Sequence, residues 1–345
     1  MRKVRRRQNG LFIVAVFFII IFLFYTCARS LYLKIDKSLN TDVASLSTVH
    51  QDHVPLKLAD GNQLSDNSSL GLIHSDPTLQ LEHTVKILHS PCAVLVSVKD
   101  NDILLDKNRN QKIYPASMTK IMTAMIALES LNDLDQKIEL KPKMFDALYA
   151  QDASMAGFVP YEEVSVIDLL YGALLPSGAE ACVGLAETVA GSEEAFAALM
   201  NEKAEQLGMD STHFTNSTGL HDENQYSTVN DIAVLLQYSL NNETFKKIFT
   251  SKHHSTTATN MHPDGITVNS TLFKEMDAAT VNGGEILGGK TGYTPEAGLC
   301  LASLAVIEDE EYVLVTAGAQ GNHQTDQYNI EDALAVYQSI NTEPK

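Results

Sequence analysis

A chain of 345 residues, 44% hydrophobic and 20% charged, has room for one large domain with attachments or for two small ones, and its composition is that of a globular protein. The formal net charge is −18 and unevenly spread: residues 1–37 hold eight Lys or Arg and one acid, Asp36, whereas residues 38–345 hold 17 basic and 42 acidic residues, a net of −25. So acidic a body, with Arg109 its single arginine beyond residue 37, repels nucleic-acid phosphates and anionic lipid headgroups, which excludes both as partners held by charge.

The first predicted element is a membrane segment. Residues 1–10 read MRKVRRRQNG, with five basic side chains, and an uncharged run from Leu11 to Ala28 follows. Its 18 residues exceed the roughly 7–15 of a signal-peptide core and approach the roughly 20 of a spanning helix, so 11–28 is read as an uncleaved transmembrane anchor. The basic flank stays inside and the acidic body is exported, so the chain is expected to be a single-pass membrane protein with its N-terminus inside. Residues 29–85 are rich in Ser, Asp and Asn and hold no period of 2 or 3.6, as expected of a flexible extracytoplasmic linker. Cys92, Cys182 and Cys300 fit either one disulfide with one free thiol or three buried thiols, and their spacing is no metal motif.

Order is expected from residue 86. CAVLVSVKD and DILLDKN, joined at Asp100–Asn101, predict a β-hairpin. YPASMTKIMTAMIAL (Tyr114 to Leu128) predicts a helix with a serine and a lysine at its mouth. VSVIDLLYGALL, AEACVGLAETVAG, SEEAFAALMNEKAEQLG and TVNDIAVLLQYSL each show helical spacing, and the polar loop HFTNSTGLHDENQYS precedes the last. HSTTATNMHPDG reads as a surface loop. After residue 285 three antiparallel strands follow, GGKTGYT, AGLCLASLAVIED and EYVLVTAGA, and DQYNIEDALAVYQSI closes as a helix. Strands flanking a helical insert, with the first and last strands in one sheet, make an α+β architecture.

The chemistry starts at the serine and lysine. Three residues apart on a helix, Ser117 and Lys120 share a face. A neutral lysine amine beside a hydroxyl takes its proton, and the oxygen then attacks a carbonyl. Burial lowers a lysine pKa, and a second lysine nearby lowers it further. S-x-x-K occurs once in the chain; a Pro-Ser-Gly turn follows at Ser177 in LLPSGAEAC, then Lys290-Thr291-Gly292 in LGGKTGYTPEAG. S-x-x-K, a second serine motif and K-T-G, in that order, form the set of active-site-serine penicillin-recognising enzymes.

On ASMTKIMTAM, LLPSGAEAC, FTNSTGLHDENQYST and GGKTGYTPEAGLCLASLA, the chain resembles the D-alanyl-D-alanine carboxypeptidases, low-molecular-mass penicillin-binding proteins of the DacA type, over roughly 86–340. With its N-terminal anchor it also resembles the penicillin-binding-protein-like VanY carboxypeptidases. The resemblance implies a β-lactamase-like fold, a five-stranded antiparallel sheet flanked by helices with a helical subdomain, and a catalytic domain over 86–345. It implies Ser117 as acyl-ester nucleophile, Lys120 as its base, and Ser177 as proton relay. Lys290 and Thr291 would bind the substrate carboxylate on a strand continuing through Gly292 and Tyr293, with the N–H groups of Ser117 and Tyr293 as oxyanion hole. The implied substrate is the peptidoglycan pentapeptide stem or its precursor, with β-lactams as covalent inhibitors and no cofactor or metal. Relatives commonly carry Ser-x-Asn where this chain has Ala179, which implies weak penicillin sensitivity. No second β-domain or C-terminal amphipathic anchor is expected after the closing helix, and the N-terminal segment is expected to anchor instead.

Two alternatives belong to other classes. A β-lactamase needs a base to deacylate quickly, and AETVAGSEEAFAALMNEKAEQ lacks the E-x-x-L-N arrangement. A non-catalytic wall-binding or β-lactam-sensing module would accord with Ala179. His221 and Asp222 are read as ordering their loop, and the eleven histidines show no zinc-binding spacing.

Overall fold

A computed structural model describes residues 84–276 and 278–340. The expected cytoplasmic segment, membrane anchor and nearly all of the linker lie outside the described residues. Among the described residues, no helix is long and apolar enough to cross a membrane.

The sheet has six antiparallel strands rather than five. In spatial order they are β2 (Ile103–Lys107), β1 (Cys92–Ser97), β10 (Glu310–Ala319), β9 (Gly298–Ile307), β8 (Gly284–Thr294) and β7 (Thr280–Val281). The sixth strand is a two-residue edge piece, too short to leave a periodic signal. The β1–β2 turn passes through Asn101 at φ +63°, a conformation asparagine tolerates better than most residues. The first strand pairs with the last, Val94 opposite Val315, as the α+β reading requires.

Strand alternation sorts the sheet into two faces. Cys92, Val94 and Val96 of β1 point with Cys300, Ala302 and Leu304 of β9 into the core shared with the helical insert. Ala93 and Leu95 point with Leu301, Ala305 and Ile307 to the opposite face. There helix α9 (Tyr328–Gln338) covers them with Ile330, Ala333, Val336 and Tyr337. All three body cysteines are free and buried, so no disulfide forms.

The insert holds α1 (Lys120–Ser130), α2 (Pro142–Ala150), α3 (Val166–Leu174), α4 (Ala179–Ala190), α5 (Glu193–Gln206), α6 (Val229–Leu240) and α7 (Glu243–Phe249). A short helix, α8 (Thr271–Glu275), leads back toward the sheet. Side chains cap the helices where the sequence suggests: Ser165, Ser192 and Thr228 accept from the N–H groups of Asp168, Ala195 and Asp231. α4 stops at Gly191, whose φ of +79° is the left-handed C-terminal cap.

Two short ribbons escaped sequence reading. One pairs β3 (Lys137–Glu139) with β4 (Glu163–Ser165); the other pairs β5 (His253–Ser255) with β6 (Thr267–Asn269). The stretch read as a surface loop starts in β5 and runs on as the connection to β6, and it is tied down. Buried Asp168 accepts from His254 Nε2 at 2.7 Å, from Ser165 Oγ at 2.8 Å, and from Thr257 N at 3.1 Å and Oγ1 at 2.8 Å. Buried Glu162 accepts from His262 Nδ1 at 2.8 Å, Thr259 Oγ1 at 2.7 Å and Val159 N at 2.9 Å. A carboxylate only accepts, so each imidazole must donate. His254 also stacks on Tyr171, with ring centroids 3.7 Å apart.

Removing a buried carboxylate that satisfies several donors strands them all. Asp168→Ala is expected to cost about 3 kcal/mol of stability in thermal or denaturant melting. A melt within error of the parent would show that the loop is not held this way.

Candidate active site

Ser117 stands one step before the helix rather than on it. Ala116–Thr119 form a single 3-10 turn, and α1 begins at Lys120. Ala116 takes φ +46°, a left-handed conformation that strains a residue with a Cβ and turns the backbone just ahead of the serine. Lys120 is 2% exposed. Its Nζ lies 2.9 Å from Ser117 Oγ and donates to Thr218 O at 2.5 Å. Burial lowers its pKa, opposed by the negative charges of Glu180 and Glu193. A neutral amine that donates to the Thr218 carbonyl keeps its lone pair for the serine proton. The Cys182 thiol beneath, pushed up to about 12 by burial, stays protonated.

The third motif lies on β8. Lys290 is 0% exposed and donates to Thr291 O at 2.9 Å. Its pKa falls well below the usual lysine range, first through burial and then through repulsion from Lys120. The two lysines are thus electrostatic neighbours, and Lys120 disfavours protonation of Lys290. Thr291 Oγ1 is 2.6 Å from Thr271 Oγ1 on α8. Gly292 lets the strand pass close to the nucleophile turn: a Cβ there would lie 3.1 Å from Ser117 N and 3.2 Å from Ala116 Cβ. Tyr293 meets His323 edge-on, centroids 4.9 Å apart.

The second motif is present but not engaged. Ser177, between α3 and α4, holds φ +70° and is buried, and its Oγ has no hydrogen-bond partner. Ala179 opens α4 and lines the cleft with a methyl group, its N–H donating to Ser154 O at 2.8 Å. Glu180 is turned away from the cleft: its Oε1 accepts from the N–H groups of Ala156, Gly157 and Phe158. Burial raises its pKa.

A cleft of about 310 Å³ opens over Ser117, Lys120, Ala179, Thr218, Gly219 and Tyr293. Sequence reasoning missed what forms its back wall, the turn Ser217–Gly219. Thr123 Oγ1 donates to Ser217 O at 2.6 Å, and Glu193 accepts from Ser217 N at 3.1 Å and Oγ at 2.7 Å. Asn216 Oδ1 accepts from Thr218 N at 3.2 Å and Gly219 N at 2.8 Å. Gly219, at φ +81°, packs so closely on the nucleophile turn that a Cβ would sit 1.9 Å from Ala116 O. The Ser-Thr-Gly run within the polar loop was the available signal. His221 and Asp222 order that loop: His221 meets Tyr114 edge-on at 4.8 Å, and Asp222 Oδ1 accepts from Asn224 N at 2.7 Å.

A serine beside a buried lysine, at the junction of an antiparallel sheet and a helical layer, defines a penicillin-binding-protein-like fold. The Streptomyces K15 DD-transpeptidase superimposes with a TM-score of 0.65 at 25% identity, over 73% of this chain and 97% of that one. The family described as D-alanyl-D-alanine carboxypeptidase, peptidase S11, matches residues 80–321, and the chain belongs to it. Among curated relatives, D-alanyl-D-alanine carboxypeptidase DacF of Bacillus subtilis is 35% identical over 246 residues, 70% of this chain and 59% of DacF. DacC of Escherichia coli is 30% identical over 248 residues, 66% of this chain and 56% of DacC. The match thus spans less than two thirds of either relative's length.

The contact at Gly219 is directly testable. Gly219→Ala must push the nucleophile turn away, and a displacement near 1 Å costs about 100-fold in rate. Gly208→Ala is the control, since Gly208 has φ +71° but nothing within 4 Å of an added Cβ. The measurement is Ser117 acylation by a fluorescent β-lactam; equal rates in the two variants would remove Gly219 from the site.

Proposed function

We propose that this chain is a serine D,D-carboxypeptidase that removes the C-terminal D-alanine from peptidoglycan pentapeptide stems through an acyl-enzyme on Ser117. The observation that carries the reading is the 2.9 Å approach of Lys120 Nζ to Ser117 Oγ, at a lysine that burial holds toward its neutral form. Ser117 gives its proton to the amine as Oγ adds to the carbonyl carbon of the penultimate residue. The N–H groups of Ser117 and Tyr293 receive the negative charge on the carbonyl oxygen. Collapse breaks the C–N bond, and the departing amine takes a proton from Lys120 through Ser177. Water then adds to the ester with Lys120 again as base, which frees Ser117. The Thr291 hydroxyl, in the wall of the adjoining hollow, faces the substrate carboxylate. The scheme uses no metal or cofactor.

Ser117→Ala should abolish both D-alanine release and covalent labelling by penicillin. Lys120→Ala should be nearly as severe, because the pair acts as a unit. Protonated Lys120 cannot take the serine proton, so kcat/KM rises with pH through the folded-state pKa of Lys120, which burial places below the usual lysine value. Penicillin acylates slowly, for want of an amide at Ala179, and Ala179→Asn speeds acylation by about tenfold if one hydrogen bond is gained. Undiminished D-alanine release by Ser117→Ala would sink the mechanism. Rapid penicillin hydrolysis would point to a β-lactamase, and absence of any chemistry to a binding module.

The same reading places the body outside the cell membrane, held by residues 11–28 with residues 1–10 inside. Its support is the basic flank followed by the 18-residue uncharged run. Protease added to intact protoplasts should then degrade the body; protection until lysis would overturn the topology.

A further inference from the structure

We propose that Lys274, together with the Thr291 hydroxyl, forms the subsite for the carboxylate of the leaving residue and sets the preference for a free C-terminus. The inference rests on the carboxypeptidase reading and adds to it a residue that no motif contains.

The leaving residue carries an anion, and the two motif lysines are poorly placed to meet it. Lys120 is 2% and Lys290 0% exposed. Neither presents a charge to solvent, and Lys290 is absent from the wall of the cleft. Burial holds both below the usual lysine pKa, and Lys120 lowers that of Lys290 further. Yet residues 38–345 carry a net charge of −25, a field that repels an anionic substrate. A local exposed cation is needed to reverse it.

A second hollow, of about 290 Å³, shares Ser154, Tyr293 and His323 with the catalytic cleft and opens over Thr291 and Gly292. Lys274 is the one exposed lysine or arginine among the residues lining the two hollows, with its side chain 74% exposed. It stands on α8, and α8 is fixed to the motif strand in two ways. The Thr271 hydroxyl meets the Thr291 hydroxyl at 2.6 Å, and Leu272 packs fully buried beside Gly289. The cation is therefore carried by an element already locked to the residue that faces the substrate. Its ion-pair partner is its neighbour Glu275, at 4.0 Å, a contact too long to neutralise it and one that competes with an incoming carboxylate.

The test compares two acyl-D-Ala-D-Ala peptides that differ only at the C-terminus, one a free carboxylate and one an amide. The parent should favour the carboxylate, and added salt should erode the preference. Lys274→Gln should lower kcat/KM for the carboxylate about fivefold, through KM rather than kcat, and leave the amide unchanged. Lys274→Arg should restore the preference, and Glu275→Gln should increase it. If Lys274→Gln keeps the parent's ratio between the two peptides, this inference fails and the carboxypeptidase reading stands. If the parent releases nothing from either peptide, the carboxypeptidase reading fails and this subsite falls with it.

Discussion

Everything at this site follows from keeping a lysine dry. A charged ammonium taken out of water costs several kcal/mol even after relaxation, so a buried lysine sheds its proton instead. Lys120 reaches that state because the sheet edge, α1 and the Ser217–Gly219 turn close around it. The opposing pull comes from Glu180 and Glu193, each committed to backbone donors of a neighbouring loop. In the proposed mechanism that balance suits Lys120 to take the serine proton.

The same burial explains a division of labour among the motifs. Glu180, whose charge acts on Lys120, is sealed from solvent, whereas Thr291, Tyr293 and Ala179 line the open hollows where the proposed substrate would lie. Ser177 lies between: buried, strained at φ +70°, and with an oxygen that bonds to nothing in the structure. An uncompensated hydroxyl of that kind costs stability, and strain of this sort clusters at functional sites. Ala116 shows the same signature just ahead of Ser117.

Much of this was legible in the sequence because it was local. Strand alternation gave the hairpin and the three closing strands, and helical spacing gave α3 to α6 within a residue or two. The three motifs could be read because they occur together and in order, although S-x-x-K alone is common in a chain of this length. What could not be read depends on the tertiary fold. That His254 and His262 would find Asp168 and Glu162, some 86 and 100 residues away, leaves no trace in either stretch. The contact of Gly219 on Ala116 is equally silent, because a glycine in a polar loop looks like any other turn. The ribbons β3–β4 and β5–β6 are three residues a side, too short for a period to declare itself. Lys290 was read as a ligand-facing cation because its charge was visible and its burial was not.

The pairing of β1 with β10 sets Cys92 opposite Ala317 and Ser97 opposite Tyr312, so a central pair of the sheet joins the two ends of the domain. Loop closure over such a span must be made before the pairing repays it, and contacts this distant in sequence slow folding. Until β10 is in place, β1 and β2 can pair only as a hairpin with no third strand to cover them. The nucleophile turn waits too, because Gly292 and Gly219, the glycines that press against it, lie far downstream. A chain that ends between Lys120 and β10 has its serine and its lysine but lacks the last strand of the sheet that packs beneath them. Competence therefore arrives late and all at once, with the final strand.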